Sequence, residues 1–354
     1  MSKKKKNVSQ KPATEFSIAP QNRTKSFLDI MQPNNEYKSL YAYAADDIDF
    51  AVEIKRSLKE IQQCRKRYPI CYVSNSLNPH VSGASIDQTD DLPFSELVKS
   101  VPEDVKDVDV IIVTSGGSAD QVSKFVETLR QRFSSVAFIV PSVAMSAGTI
   151  LIMSGDEIVM TPNAHFGPID PQVLNSQNRF VPAQALLTLI EHVRLEGEEA
   201  MQKGRNPSWA NVVLLREMDH YNIGYVLNAS KYSIDMVASY LERYKFRTWT
   251  THSSSGQPVT DKERRDRARD IAEELGKHDK WLTHSRGINR DMAVHELHLE
   301  ITSSEDLPGL DEALRRFWAL IHWLFENSMT KKIFISEDYN LFRLTGTRRP
   351  KETT

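Results

Sequence analysis

The sequence is poor in several features, and each absence excludes a class of protein. It has two cysteines, Cys64 and Cys71, in 354 residues. Two cannot build a disulfide framework, so stability must come from a packed core; the pair suits a reducing compartment, with both thiols as buried or half-buried bystanders. The longest apolar runs, 136–145 and 317–325, fall far short of the roughly 20 residues that span a bilayer. No apolar segment follows the N-terminal lysines, so no secretory signal is read and a cytoplasmic protein is expected. Net charge is -2, which supplies no overall field toward nucleic acid or membrane, and neither is an expected partner. The local exception is Lys3, Lys4, Lys5, Lys6 and Lys11, which precede any acidic residue and read as a solvated tail.

Cofactor and metal signatures are also missing. His295 and His298 are three apart with no third ligand at metal spacing, one residue short of the two-His helical zinc motif. Gly116-Gly117-Ser118 lacks the lysine that a phosphate-binding loop would need. Phe317, Trp318 and Trp323 read as core or interface rather than a base-stacking platform. No metal and no cofactor are expected.

What is present is the patterning of a globular α/β chain, 40% hydrophobic and long enough for two domains or one core with a large appendage. Residues 1–38 are polar without periodicity and read as tail and lead-in. Ala51, Ile54, Leu58 and Ile61 recur at helical spacing. Ile70–Val73, Val108–Thr114, Val136–Val140 and Glu157–Thr161 read as buried strands. Ser118 and Gln121 form a capping-box pattern ahead of a helix carrying Val122, Phe125, Val126, Leu129 and Phe133. Continuously apolar strands alternating with helices predict a sheet covered on both sides. Helices are predicted over 182–204, twice within 208–245, and over 261–275 closed by Gly276; late strands are expected at Ile333–Ile335 and Leu341–Phe342. A soft boundary falls near 205, which gives a tail (1–38), a core (39–205) and a mainly helical region (206–354).

The most informative stretch lies between Asp109 and Gln172. A strand ends in Ser115-Gly116-Gly117. The next strand leads into Met145-Ser146-Ala147-Gly148-Thr149, and the stretch closes on Gly167-Pro168-Ile169-Asp170-Pro171-Gln172. A serine among small residues, after a strand and before an apolar helix, suits a nucleophile, because the helix start aims free N–H groups at a reacting carbonyl. Ala147 N–H would then be one oxyanion donor and Gly117 N–H the second. A serine in that place can equally be an ordinary helix N-cap, and composition leaves both readings open.

Those three motifs resemble the serine dehydrogenase proteinase family, of the Clp-protease/crotonase-like fold, alongside signal peptide peptidase A and the membrane-bound Clp-class proteases. The match covers about 70 residues, and the Lys280–Ile288 segment is similar more loosely. The resemblance implies repeated strand–strand–helix units with a mostly helical C-terminal part. It also implies Ser146 as nucleophile, Gly117 and Ala147 lining the oxyanion hole, and a homo-oligomer. The base departs from the family pattern. Ile169 or Asp170 stands where Clp protease has a histidine, and Pro182-Ala183-Gln184 has no lysine where the membrane-bound relatives use one. Local candidates are His165, whose type suits a base; Asp170, which could orient a histidine or take the proton itself; and Lys203, which would need burial to serve. A residue from another subunit is a further option.

The expected function is therefore a serine peptidase acting on peptides or unfolded segments through a Ser146 acyl-enzyme, with a separate ATPase as a candidate partner. Two alternatives share the fold: a crotonase-type acyl-CoA enzyme, and a non-catalytic oligomeric scaffold that has lost its base.

Overall fold

A strand whose side chains are apolar on both faces is stable only when covered from both sides, and the four predicted strands obey this. The computed structural model describes residues 26–44, 48–174, 180–217, 220–252 and 255–346; the lysine-rich stretch Lys3–Lys11 lies outside the described residues. The elements begin with α1 (Glu36–Leu40), α2 (Phe50–Arg65), β1 (Tyr68–Ser74), α3 (Asp91–Lys99), β2 (Asp107–Val113), α4 (Ala119–Arg132) and β3 (Ser135–Val140). Next come β4 (Val143–Ala144), α5 (Ala147–Ile152), β5 (Glu157–Met160), β6 (His165–Phe166), β7 (Gln172–Leu174), β8 (Phe180–Pro182) and α6 (Ala183–Gln202). The remainder holds α7 (Trp209–Glu217), α8 (His220–Tyr240), α9 (Asp261–Gly276), α10 (His278–Trp281) and α11 (Arg290–His295). It ends with β9 (Thr302–Ser303), α12 (Leu310–Asn327), β10 (Thr330–Ile335) and β11 (Asn340–Leu344).

The central sheet runs in the order β11-β10-β1-β2-β3-β5-β9. From β1 to β9 the neighbours are parallel, while β10 and β11 add an antiparallel edge. Successive residues face opposite sides. Tyr72, Val110, Ile112 and Phe138 enter one core with Leu97 of α3, Phe125 of α4, Leu151 of α5 and Ile271 of α9. Cys71, Val73, Ile111 and Ile139 enter the other with Ile54 and Leu58 of α2 and Leu314 and Phe317 of α12. Phe94 stacks on Phe125 at 3.9 Å between centroids, and Tyr72 meets both rings edge-on. Each large apolar side chain buried this way contributes about 1.5–3 kcal/mol. Cys71 is buried and Cys64 partly so, both free, as expected. Burial pushes the Cys71 thiol well above its ordinary value.

Three readings need adjustment. The expected tail, 1–38, takes in Phe27, Leu28 and Met31, which are buried. Glu53 of α2 fixes them, accepting from Ser26 Oγ at 2.6 Å and Phe27 N–H at 2.9 Å. The region after 205 is rich in helices but also supplies β9, β10 and β11 to the core sheet, so the boundary near 205 marks no break in that sheet. The cap on α4 is one-sided: Ser118 accepts from Gln121 N–H at 3.2 Å, whereas the Gln121 amide turns to Asp91 at 3.4 Å. Among the described residues, no helix is long and apolar enough to cross a membrane.

Candidate active site

The site is built where β2 and β3 end. Past β2 the chain continues alongside β4: Thr114 N–H donates to Val143 C=O at 2.9 Å and Met145 N–H to Thr114 C=O at 3.0 Å. This pairing brings Ser115-Gly116-Gly117 beside Met145-Ser146-Ala147. The approach is so close that only glycine fits at 116, where a β-carbon would lie 2.7 Å from Ser146 Cβ and 3.2 Å from Ala147 N. Gly148 is forced in the same way, since a β-carbon there would meet Thr114 Cγ2 at 2.5 Å. The small residues flanking the serine are therefore packing requirements of the turn.

Ser146 itself has φ 53° and ψ -117°, a positive φ that residues other than glycine rarely adopt and that costs on the order of 1–3 kcal/mol. Its side chain makes no capping bond to α5. The residue is half-buried rather than sealed. This rules out the N-cap reading, because a capping serine sits in the β region with its oxygen on the N2 or N3 amide.

Two backbone donors flank the serine. Ala147 N–H is the first of α5, and the intrahelical ladder cannot reach it. Gly117 lies opposite Ile86 in an isolated parallel bridge. There Ile86 N–H donates to Gly116 C=O at 2.8 Å and Ser118 N–H to Ile86 C=O at 2.9 Å. Its neighbours hold Ile86, so Gly117 turns its own N–H to the other side. Gly117 is exposed, and a β-carbon on it would strike Ile86 C=O at 2.3 Å. Neither amide has a protein partner among the described residues.

The Gly-Pro-Ile-Asp string is tied to this turn by Thr149, one helical turn past Ser146. Thr149 Oγ1 accepts from Gly167 N–H at 3.0 Å and lies 2.9 Å from both Ala144 C=O and Gly167 C=O. Met145 packs against Gly167, where a β-carbon would be 2.6 Å from its Cε. Three residues on, the Asp170 side chain is 1% exposed and pairs with Nδ1 of His284 at 2.8 Å. His284 was not among the candidates. It had only one sequence hint, its place within the Lys280–Ile288 segment.

Two other candidates lie apart from this arrangement. His165 faces Gly287, whose β-carbon would meet the ring at 2.8 Å, and no hydrogen bond joins it to Ser146 or Asp170 among the described residues. Lys203 is exposed just beyond α6 and pairs with Glu199. That is the solvated lysine of a helix C-terminus, not a buried base. A concavity of about 590 Å³ lined by Lys106, Arg130, Tyr244 and Arg247 contains none of the candidate residues.

Comparison with known proteins agrees with the motifs. Residues 27–199, nearly half of the chain, match the family of ClpP-like SDH-type serine proteinases. Two uncharacterized proteins of Methanocaldococcus jannaschii are 28% identical over 160 residues and 29% identical over 131 residues, covering 43% and 37% of this chain. The chain spans only 49% and 40% of those proteins' lengths. Among solved structures, a 1510-N membrane-bound stomatin-specific protease aligns at 23% identity over 36% of this chain and 63% of that one, with a TM-score of 0.26. ClpP1 from Listeria monocytogenes aligns at 16% identity over 41% of this chain and 76% of that one, with a TM-score of 0.24.

Proposed function

We propose that this chain, a member of the ClpP-like SDH-type serine proteinase family through its residues 27–199, is a serine peptidase whose nucleophile is Ser146. The observation that carries the proposal is the Ser146 turn. A strained positive φ holds the hydroxyl of a half-buried serine, with no capping bond, beside the first amide of a helix. It is the device by which a sharp strand-to-helix turn presents a nucleophile clear of the backbone. Attack by Oγ on a peptide carbonyl would place negative charge where the Gly117 and Ala147 amides can receive it, and loss of one such donor typically costs about 10²–10³ in rate. Peptides or unfolded segments are the proposed substrates, since the Ser146 turn and the Gly117 and Ala147 amides suit attack on a peptide carbonyl.

Self-association is part of the proposal. Trp209 and Val212 on α7 and Tyr225 and Leu227 on α8 are 77%, 53%, 65% and 52% exposed, and exposed large apolar side chains of this kind favour contact with another protein surface. The test of the function is hydrolysis of an unfolded protein such as reduced casein. Wild type should release peptides and Ser146→Ala should not; equal cleavage by both would remove Ser146 from the chemistry.

A further inference from the structure

We propose that His284, delivered by the C-terminal part of the chain, is the general base for Ser146, and that Asp170 is its positioning residue. This rests on the reading of Ser146 as nucleophile and supplies the group that reading lacks. The two residues are 114 positions apart, so their meeting is a product of the fold. Phe166 and Ile288 form an antiparallel bridge, exchanging backbone bonds of 3.1 and 2.7 Å. Counting four residues outward along both antiparallel segments brings Asp170 opposite His284, where the side chains are found paired. The segment between is pinned at both ends. Trp281 is buried and donates Nε1–H to Glu274 C=O at 2.8 Å, and Ile288 is fully buried. Ile169 N–H, next to Asp170, donates to Leu275 C=O at the end of α9.

The pair also faces the correct neighbourhood. A β-carbon on Gly167 would meet both the Met145 side chain and, at 3.7 Å, Arg286 C=O. The residue before Ser146 and the residue two after His284 therefore converge on one glycine. The Asp170 carboxylate is sealed while the His284 side chain is 15% exposed, so the ring has one nitrogen turned inward and one edge toward solvent. With Nδ1–H donating to Asp170, Nε2 keeps its lone pair, which is the tautomer a base requires. Nε2 and Ser146 Oγ are not hydrogen-bonded to each other here; such contacts often tighten only when substrate is bound.

The step then balances. The Ser146 Oγ–H proton passes to His284 Nε2 as the Oγ–C bond forms and the carbonyl electron pair moves to oxygen. The tetrahedral intermediate collapses, the C–N bond breaks, and Nε2–H protonates the departing amine. A water molecule gives a proton to Nε2 as its oxygen attacks the ester. The Oγ–C bond breaks with the proton returned to Oγ, which releases the carboxylic acid.

The decisive variant is His284→Asn, whose amide can still donate to Asp170 but which has no Nε2. Wild type, Ser146→Ala, His284→Asn, His284→Ala and His165→Ala would be compared for the rate of labelling by a fluorophosphonate, with thermal melts alongside. Wild type should be labelled at Ser146, and both His284 variants should be labelled about 10²–10⁴-fold more slowly. Added imidazole should partly restore His284→Ala. Labelling of His284→Asn at the wild-type rate would overturn the base while leaving the nucleophile intact, since the docking bond alone would then account for the pair. Slow labelling of His165→Ala with His284→Asn unaffected would overturn it in favour of His165. No labelling of Ser146 in wild type would overturn both readings together. Should His284→Ala melt far below wild type, His284→Asn and imidazole rescue still decide.

Discussion

Two serines in this chain stand between a β-strand and a helix, and the fold treats them oppositely. Ser118 has φ -78° and ψ 121°, and its hydroxyl accepts from the third amide of α4. Ser146 has φ 53° and ψ -117°, and its hydroxyl leaves the first turn of α5 alone. The difference comes from what lies beside each turn. Ser118 is tied by its own N–H to Ile86 C=O in an extended conformation, whereas Ser146 is pressed by Gly116 and held through Thr149 to Gly167. One turn contributes stability and the other stores strain. A capping serine and the serine proposed as nucleophile thus share a sequence context and differ in backbone geometry.

The largest expected effect falls on chemistry at the second turn. Ser146→Ala should lower peptide hydrolysis by about 10⁴-fold or more, yet leave the melting temperature within a degree or two, because no capping bond is lost. Ser146→Gly should be equally inactive and more stable by roughly 0.5–1 kcal/mol, as glycine tolerates the positive φ. A fall in stability of either variant, seen by denaturant unfolding, would break the contrast. Gly117→Ala puts a β-carbon against Ile86 C=O at 2.3 Å, so the donor must move. Activity should drop about 10²–10³-fold, with kcat affected more than KM in steady-state kinetics.

Smaller effects sharpen the comparison. Thr149→Val removes the hydroxyl that links α5 to Gly167 and leaves buried backbone groups unmatched, at a cost of about 1–3 kcal/mol. The same variant should reduce activity, because Met145 and Asp170 are positioned through that link. Ser118→Ala is the mirror case. It should cost about 1 kcal/mol, as lost caps do, with little change in kcat. Reversal of these last two outcomes would mean that the turns had been assigned the wrong way round.

The sequence made the sheet legible because strands buried on both faces carry unbroken apolar runs, as in Val110–Val113 and Val136–Val140. It made α2 and α4 legible through their apolar stripes, and it supplied Ser146, Gly117, Ala147 and Asp170 as the candidates on which the proposal rests. Local pattern could not reveal contacts made across long separations. The lead-in within 1–38 looks polar and aperiodic, but Glu53 holds Ser26 and Phe27 through two hydrogen bonds. Ile86 sits in a polar loop and shows no strand pattern, since a single bridge to Gly117 is its only pairing among the described residues. The Asp170–His284 pair depends on the Phe166–Ile288 bridge and leaves no periodic trace in either segment. Lys203 looked suitable by residue type alone; its solvent exposure is a tertiary fact.

The central claim is geometric: the Ser146 hydroxyl and the amides of Gly117 and Ala147 surround one reacting carbon. A crystal structure of the protein after reaction with diisopropyl fluorophosphate tests it most directly. Phosphorus should be bonded to Ser146 Oγ, with the phosphoryl oxygen about 2.7–3.1 Å from both backbone nitrogens. An adduct on another residue, or a phosphoryl oxygen turned away from both amides, would contradict it.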